Sequence, residues 1–147
     1  MAFERLINNL RERKRRLIDN RPIRVMKIAF DMWALTKLRI QTEGKDFNEQ
    51  PFAPYTEAYK KERGAAGYQT GFVDFTRTGR FMANSQPRIL SSDTFSTTVI
   101  IEGSEQRSKD IARGAEKKRG NIYTPSKAEI EFGRQANQQR VFEDLFG

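Results

Sequence analysis

Apolar positions at the start of the chain recur at helical spacing. Phe3, Leu6, Ile7, Leu10, Leu17 and Ile18 follow the i, i+3, i+4, i+7 rule and its continuation two turns on, which predicts an amphipathic helix over residues 2–19 with a basic opposite face. Asn20 and Pro22 supply a stop and a restart. Asn20 is the expected cap, and Pro22 falls in the first turn of the next helix, where its missing N–H costs nothing. From Ile23 to Ile40 apolar residues occupy nearly every side: Ile23, Val25, Met26, Ile28, Phe30, Met32, Trp33, Leu35, Leu38 and Ile40. So wide an apolar face needs cover on more than one side, which makes this the expected central helix, with Lys27, Asp31, Lys37 and Arg39 marking its narrower wet face.

The texture changes after Gly44. Residues 47–55 are aromatic and punctuated by Pro51 and Pro54, which push their predecessors out of the helical region and predict an ordered loop. Thr56 to Arg63 reads as a short helix with Tyr55 and Tyr59 one turn apart, ended by Gly64 and Gly67. Residues 68–79 read as irregular or briefly extended, and Thr78 is the expected cap of a single turn from Gly79 to Asn84. Phe95, Thr97, Val99 and Ile101 alternate with Thr98 and Ile100, a β-branched strand pattern. With Ile89 and Leu90 across Ser91-Ser92-Asp93-Thr94, they predict a β-hairpin over 87–102. Ser104 is the expected N-cap of a basic helix over 105–118, stopped by Gly120. Residues 121–133 read as irregular, and 137–146 as a short amphipathic helix with Val141, Phe142, Leu145 and Phe146 on one side. The expected architecture is a single α+β domain over residues 1–147, several helices packed on a small antiparallel β-sheet.

Composition narrows the chemistry. The 147 residues contain no cysteine and no histidine. Disulfides, thiolate nucleophiles, iron–sulfur clusters, the usual zinc sites and Ser-His-Asp catalysis are therefore closed. Carboxylate chemistry through Mg²⁺ or an acid/base pair stays open, but no spacing singles out such a pair. No phosphate-binding Gly-x-x-x-x-Gly-Lys loop occurs, and the expectation is no enzyme, no cofactor and no metal. Apolar residues make up 37% of the chain and the mean hydropathy is -0.76. That core is lean for one domain, as in a chain that is extended, wrapped on a partner or packed between subunits. Neither a signal-peptide run nor a membrane-length apolar stretch is present, so the reading is a cytosolic, soluble chain.

Charge is unevenly placed. Lys and Arg number 27 against 19 Asp and Glu, for +8. Seven basic residues, Arg11, Arg13, Lys14, Arg15, Arg16, Arg21 and Arg24, face only Glu12 and Asp19, a net +5. A second cluster, Arg107, Lys109, Arg113, Lys117, Lys118 and Arg119, faces Asp110 and Glu116, a net +4. The first patch reads as a solvated helix face, a phosphate-contacting surface or a contact for an acidic protein. The aromatic residues from Phe47 to Phe81 are interleaved with proline and glycine in place of lysine, which favours packing over base stacking. Phe142, Leu145 and Phe146, with Arg113 and Lys117, are candidate subunit-interface residues, since an apolar terminal helix needs burial somewhere.

Residues 47–85 carry a recognisable order: an aromatic and proline loop, Tyr55-x-x-x-Tyr59-x-x-x-Arg63, a glycine-rich break, then Phe75-Thr-x-Thr78-Gly79-Arg-Phe81-Met82-x-x-Ser85 and a hairpin rich in threonine and valine. With Ile111-Ala112-Arg113-Gly114-Ala115-Glu116-Lys117 downstream, this resembles the tail-completion and virion-morphogenesis proteins of tailed bacteriophages over about residues 45–133. The long basic N-terminal helix, and Phe75 where leucine is usual, depart from the pattern. The resemblance implies a non-enzymatic virion component, assembled in the host cytoplasm, that forms a ring of six or twelve copies at the head-to-tail junction or the proximal tail. It further implies contacts to portal, adaptor or tail proteins. Arg11 to Arg24 would then face those acidic surfaces or the packaged DNA. The alternative from the residues alone is a basic nucleic-acid-binding protein using the same two patches.

Overall fold

The computed structural model of the chain describes residues 1–76 and 79–147. Its elements follow the order α1 (Ala2–Asp19), α2 (Arg21–Glu43), α3 (Glu57–Ala65), α4 (Arg80–Asn84), β1 (Ser85–Ser92), β2 (Thr97–Gly103), α5 (Gln106–Arg119) and α6 (Lys127–Phe146). The fold is α+β: helices packed on one two-stranded antiparallel sheet.

α2 is the axis of the molecule. One flank receives α6, running antiparallel to it, and another receives the hairpin. Trp33 anchors the sheet side. Its indole N–H donates to the Ser85 carbonyl at 2.7 Å, and its ring meets Tyr123 edge-on at 5.5 Å. An aromatic side chain of this kind removes about 150–250 Å² from water, provided its polar tip finds a partner. Around Trp33 the core gathers Ile40, Phe52, Tyr55, Val73, Phe81, Met82 and Ile122, with Ala112 and Ala115 of α5. The cover over α2 is incomplete: Ile23, Phe30 and Leu38 remain exposed on a third side.

α1 runs into α2 with only Asn20 between them. Asn20 keeps a near-helical conformation, and its backbone N–H and C=O still bond Arg16 and Arg24. Pro22, in the first turn of α2, has no N–H to return to α1, so one rung of backbone bonding is missing at the junction. The expected Asn20 side-chain cap is corrected: Asn20 Nδ2 instead donates to Asp144 Oδ1 at 2.9 Å.

Three further expectations are revised. The short helix expected over 137–146 is the second half of a 20-residue helix that begins at Lys127, so residues 127–133 are helical and not irregular. Ser126 nucleates it through a capping box: its side chain accepts from the Glu129 N–H, and the Glu129 carboxylate accepts from the Ser126 N–H. Next, Phe95 lies in the hairpin turn and not on the strand, because β1 extends to Ser92 and β2 begins at Thr97, with a bulge between Ile89 and Ser91. Finally, α5 starts after Glu105 and not after Ser104. The cap expected at Thr78 lies outside the described residues. Thr56 caps α3 by accepting from the Tyr59 N–H, and that helix runs through Gly64 to Ala65. Gly120 ends α5, and Gly79 precedes α4 with φ 67°, in the left-handed region that favours glycine.

Candidate assembly surfaces

Two buried ion pairs fix the scaffold on which the exposed residues sit. Arg39, expected on the wet face of α2, is instead buried, because it donates to both carboxylate oxygens of Glu129 on α6 and also to the Lys45 and Thr124 carbonyls. Burial works to raise the Glu129 carboxyl, but hydrogen bonds from Arg39, the Ser126 N–H and Thr36 prevail and hold it below the usual carboxylate range. On the far side, Arg63 of α3 donates to Asp74 and lies over the rings of Tyr55 and Tyr68 at 4.7 and 5.4 Å. Asp74 also accepts from Gln69 and from the Thr76 N–H. Burial is again outweighed, and its carboxyl titrates below the ordinary value.

α1 presents its apolar stripe to solvent. None of its 18 residues is buried. Arg13 lies over Phe146 at 5.2 Å, and Ile7, Leu17 and Ile18 are half-buried, so part of the stripe is covered. Farther out, Phe3, Leu6 and Leu10 project uncovered, with Phe3 72% exposed.

The predicted basic patch divides. Arg24 is buried and paired with Asp144. Arg21 donates to the carbonyls of Asp93 and Thr94 in the hairpin turn, at 3.3 and 2.7 Å. Arg13 and Arg16 are half-buried. Arg11, Lys14 and Arg15 remain exposed on α1, with Arg15 paired to Glu12. The seven cations therefore do not form one face: Arg21 and Arg24 hold the fold together. Among the candidate interface residues, Phe142 and Phe146 are exposed and stacked at 4.9 Å, while Leu145 is half-buried. Arg113 and Lys117 are exposed on α5, distant in sequence from them and on a different element.

Two features escape the sequence reading. A groove of about 690 Å³ lies between α3, α4 and α5, walled by Tyr59, Phe75, Ile111 and Ala115 and rimmed by Arg107, Lys118 and Arg119. The other is Phe95, 90% exposed at the hairpin tip. Asp93 followed by Phe95 and Ser96 is its sequence signal, since an aspartate bonding N–H groups two and three residues on builds a tight turn.

Among the described residues, no group of acidic side chains is arranged to hold a metal ion, and no helix is long and apolar enough to cross a membrane. In comparisons with protein-family models, curated proteins and solved structures, nothing matches the chain.

Proposed function

We propose that the chain is a structural subunit of a tailed-bacteriophage virion, forming a ring at the head-to-tail junction that joins the capsid portal complex to the tail. The observation that carries this reading is α1: 18 ordered residues with none buried and Phe3, Leu6 and Leu10 in solvent. An amphipathic helix gains most of its stability from packing its apolar face, and here the home domain supplies only a fraction of that packing. The exposed Ile23, Phe30 and Leu38 of α2 and Phe142 and Phe146 of α6 extend the same deficit, which neighbouring copies and portal, adaptor or tail proteins would remove. The order of motifs from Phe47 to Ser85 supplies the phage assignment. Mass spectrometry of purified virions followed by cryo-microscopy tests it: the chain is expected as a ring in the neck, and a persistent monomer absent from particles overturns the reading.

A second reading, a nucleic-acid-binding protein, draws on Arg11, Lys14 and Arg15 of α1 and on Arg107, Arg113, Lys117 and Lys118 of α5, all exposed. Salt titration separates the two. DNA affinity falling with a log–log slope of about -0.9 per phosphate contact supports this second reading, and no DNA binding at low salt removes it.

A further inference from the structure

Phe95 is held in solvent by an ordered turn. Asp93 Oδ1 accepts the N–H groups of Phe95 and Ser96 at 2.7 and 2.9 Å, and the Asp93 N–H donates to the Ser96 carbonyl at 2.9 Å. The Arg21 guanidinium ties the turn to the start of α2. A large aromatic fixed in this way has already lost the backbone freedom that binding would otherwise take from it, which is the condition under which an exposed ring becomes an anchor.

The groove has the matching chemistry. Its walls carry aromatic and apolar side chains, its rim carries Arg107, Lys118 and Arg119 beside the Arg80–Glu105 ion pair, and its volume of about 690 Å³ falls in the range of sites that enclose a compact group. Phe142 and Phe146 are less available, being stacked on each other with Arg13 over Phe146, and Phe47 is only 36% exposed. Phe95 stands two residues from Asp93, so docking the tip would bring a carboxylate to the side of the groove that carries Arg107 and Lys118.

Position then decides between a fold within one chain and a contact between two. The groove lies at the base of the hairpin, where Ser85 pairs with Gly103 and α5 begins at Gln106. Phe95 lies at the tip. Eight residues of strand span about 25 Å, so tip and groove occupy opposite ends of the same hairpin. We infer that Phe95 at the hairpin tip of one copy docks into the α3–α4–α5 groove of the next. Such a contact is heterologous and propagates head to tail, closing into a ring when the rotation per copy allows. This deepens the ring-subunit reading and rests on it.

Two variants test the joint. Phe95→Ser removes the anchor from a position that touches little of its own chain. Gly114→Phe fills the groove from an exposed site on α5 where an added Cβ meets nothing within 4 Å. Circular dichroism should match wild type for both, and neither should melt below it, since losing Gly114 from a helix interior favours the helix. In native mass spectrometry and sedimentation of the full chain, each variant is expected to self-associate about 30-fold more weakly than wild type. A mixture is the sharper measurement: the first variant keeps its groove and the second keeps its tip, so together they should give a 1:1 pair and nothing larger. Rings that persist in both variants, or a mixture that yields no pair, overturn the joint and leave the ring reading standing. Open filaments abolished by both variants uphold the joint and overturn the ring. A wild type that stays monomeric at every concentration overturns both.

Discussion

Arg39 and Glu129 meet through two hydrogen bonds, Nε to Oε1 at 2.8 Å and Nη2 to Oε2 at 3.2 Å, across the buried seam between α2 and α6. The guanidinium fork matches the carboxylate plane, and Thr36 Oγ1 and the Ser126 N–H, each at 2.8 Å from Oε2, complete the acceptor's coordination. Removing one partner leaves the other charged and buried. Glu129→Ala is therefore expected to cost about 3–5 kcal/mol in urea denaturation. Replacing both, as Arg39→Met with Glu129→Leu, should cost much less than the sum of the single changes. Additive losses would show that the pair is not coupled.

The same carboxylate makes the fold sensitive to acid. Glu129 and Asp74 both titrate below their ordinary values in the folded chain, so each contributes stability that is present above the unfolded value near pH 4 and lost as pH falls through the folded value. Exposed Glu131, drawn down to about 2 by Arg134 and Gln135, shifts in the same direction. The unfolding free energy should be flat from pH 7 to 5 and drop below about pH 4, with a slope of up to about 1.4 kcal/mol per pH unit for each of the buried carboxylates Glu129 and Asp74. Glu129→Gln should flatten that slope. An unchanged slope would assign the acid sensitivity elsewhere.

Two glycines should respond in opposite directions to alanine. A Cβ on Gly103 would lie 2.6 Å from Ser108 Cβ and 3.1 Å from the Lys109 backbone nitrogen, because the end of β2 and the first turn of α5 pack closely there. Gly103→Ala is expected to destabilise by about 1–3 kcal/mol. Gly114, inside α5, has open space, so Gly114→Ala should stabilise by about 0.5–1 kcal/mol through helix propensity. Paired thermal melts check both signs.

Phe3, Leu6 and Leu10 should matter to assembly and not to folding. Changing all three to glutamine is expected to move the unfolding free energy by no more than about 0.5 kcal/mol per site, the range for exposed positions. The same triple variant should fail to incorporate into particles. Normal incorporation would remove α1 from the assembly contacts.

Elements with a clean period were legible in the residues alone. The 3.6-residue spacing in α1 and α2 and the β-branched run of β2 each pointed to the observed element, and so did the α+β class. The first half of α6 was not, because Gly133 and charged Glu129 and Glu131 interrupt its pattern, although Ser126 and Glu129 spell its capping box. Phe95 continues the alternation of Thr97 and Val99, so periodicity carries the strand two residues too far; the Asp93 turn ends it. Arg24 and Arg11 look alike in a charge run. What separates them is Asp144, 120 residues from Arg24 and adjacent only after folding. The groove is harder still, since it is assembled from three segments with no shared motif.

The rung missing at Pro22 gives α1 a mechanical property. An 18-residue helix is about 27 Å long, and none of its residues is buried. A deflection of about 10° at that junction moves the far end by about 5 Å while each rung within α1 stays intact. The helix thus works as a cantilever, able to reach a neighbour whose spacing or tilt departs from its own without forcing the rest of the subunit to deform.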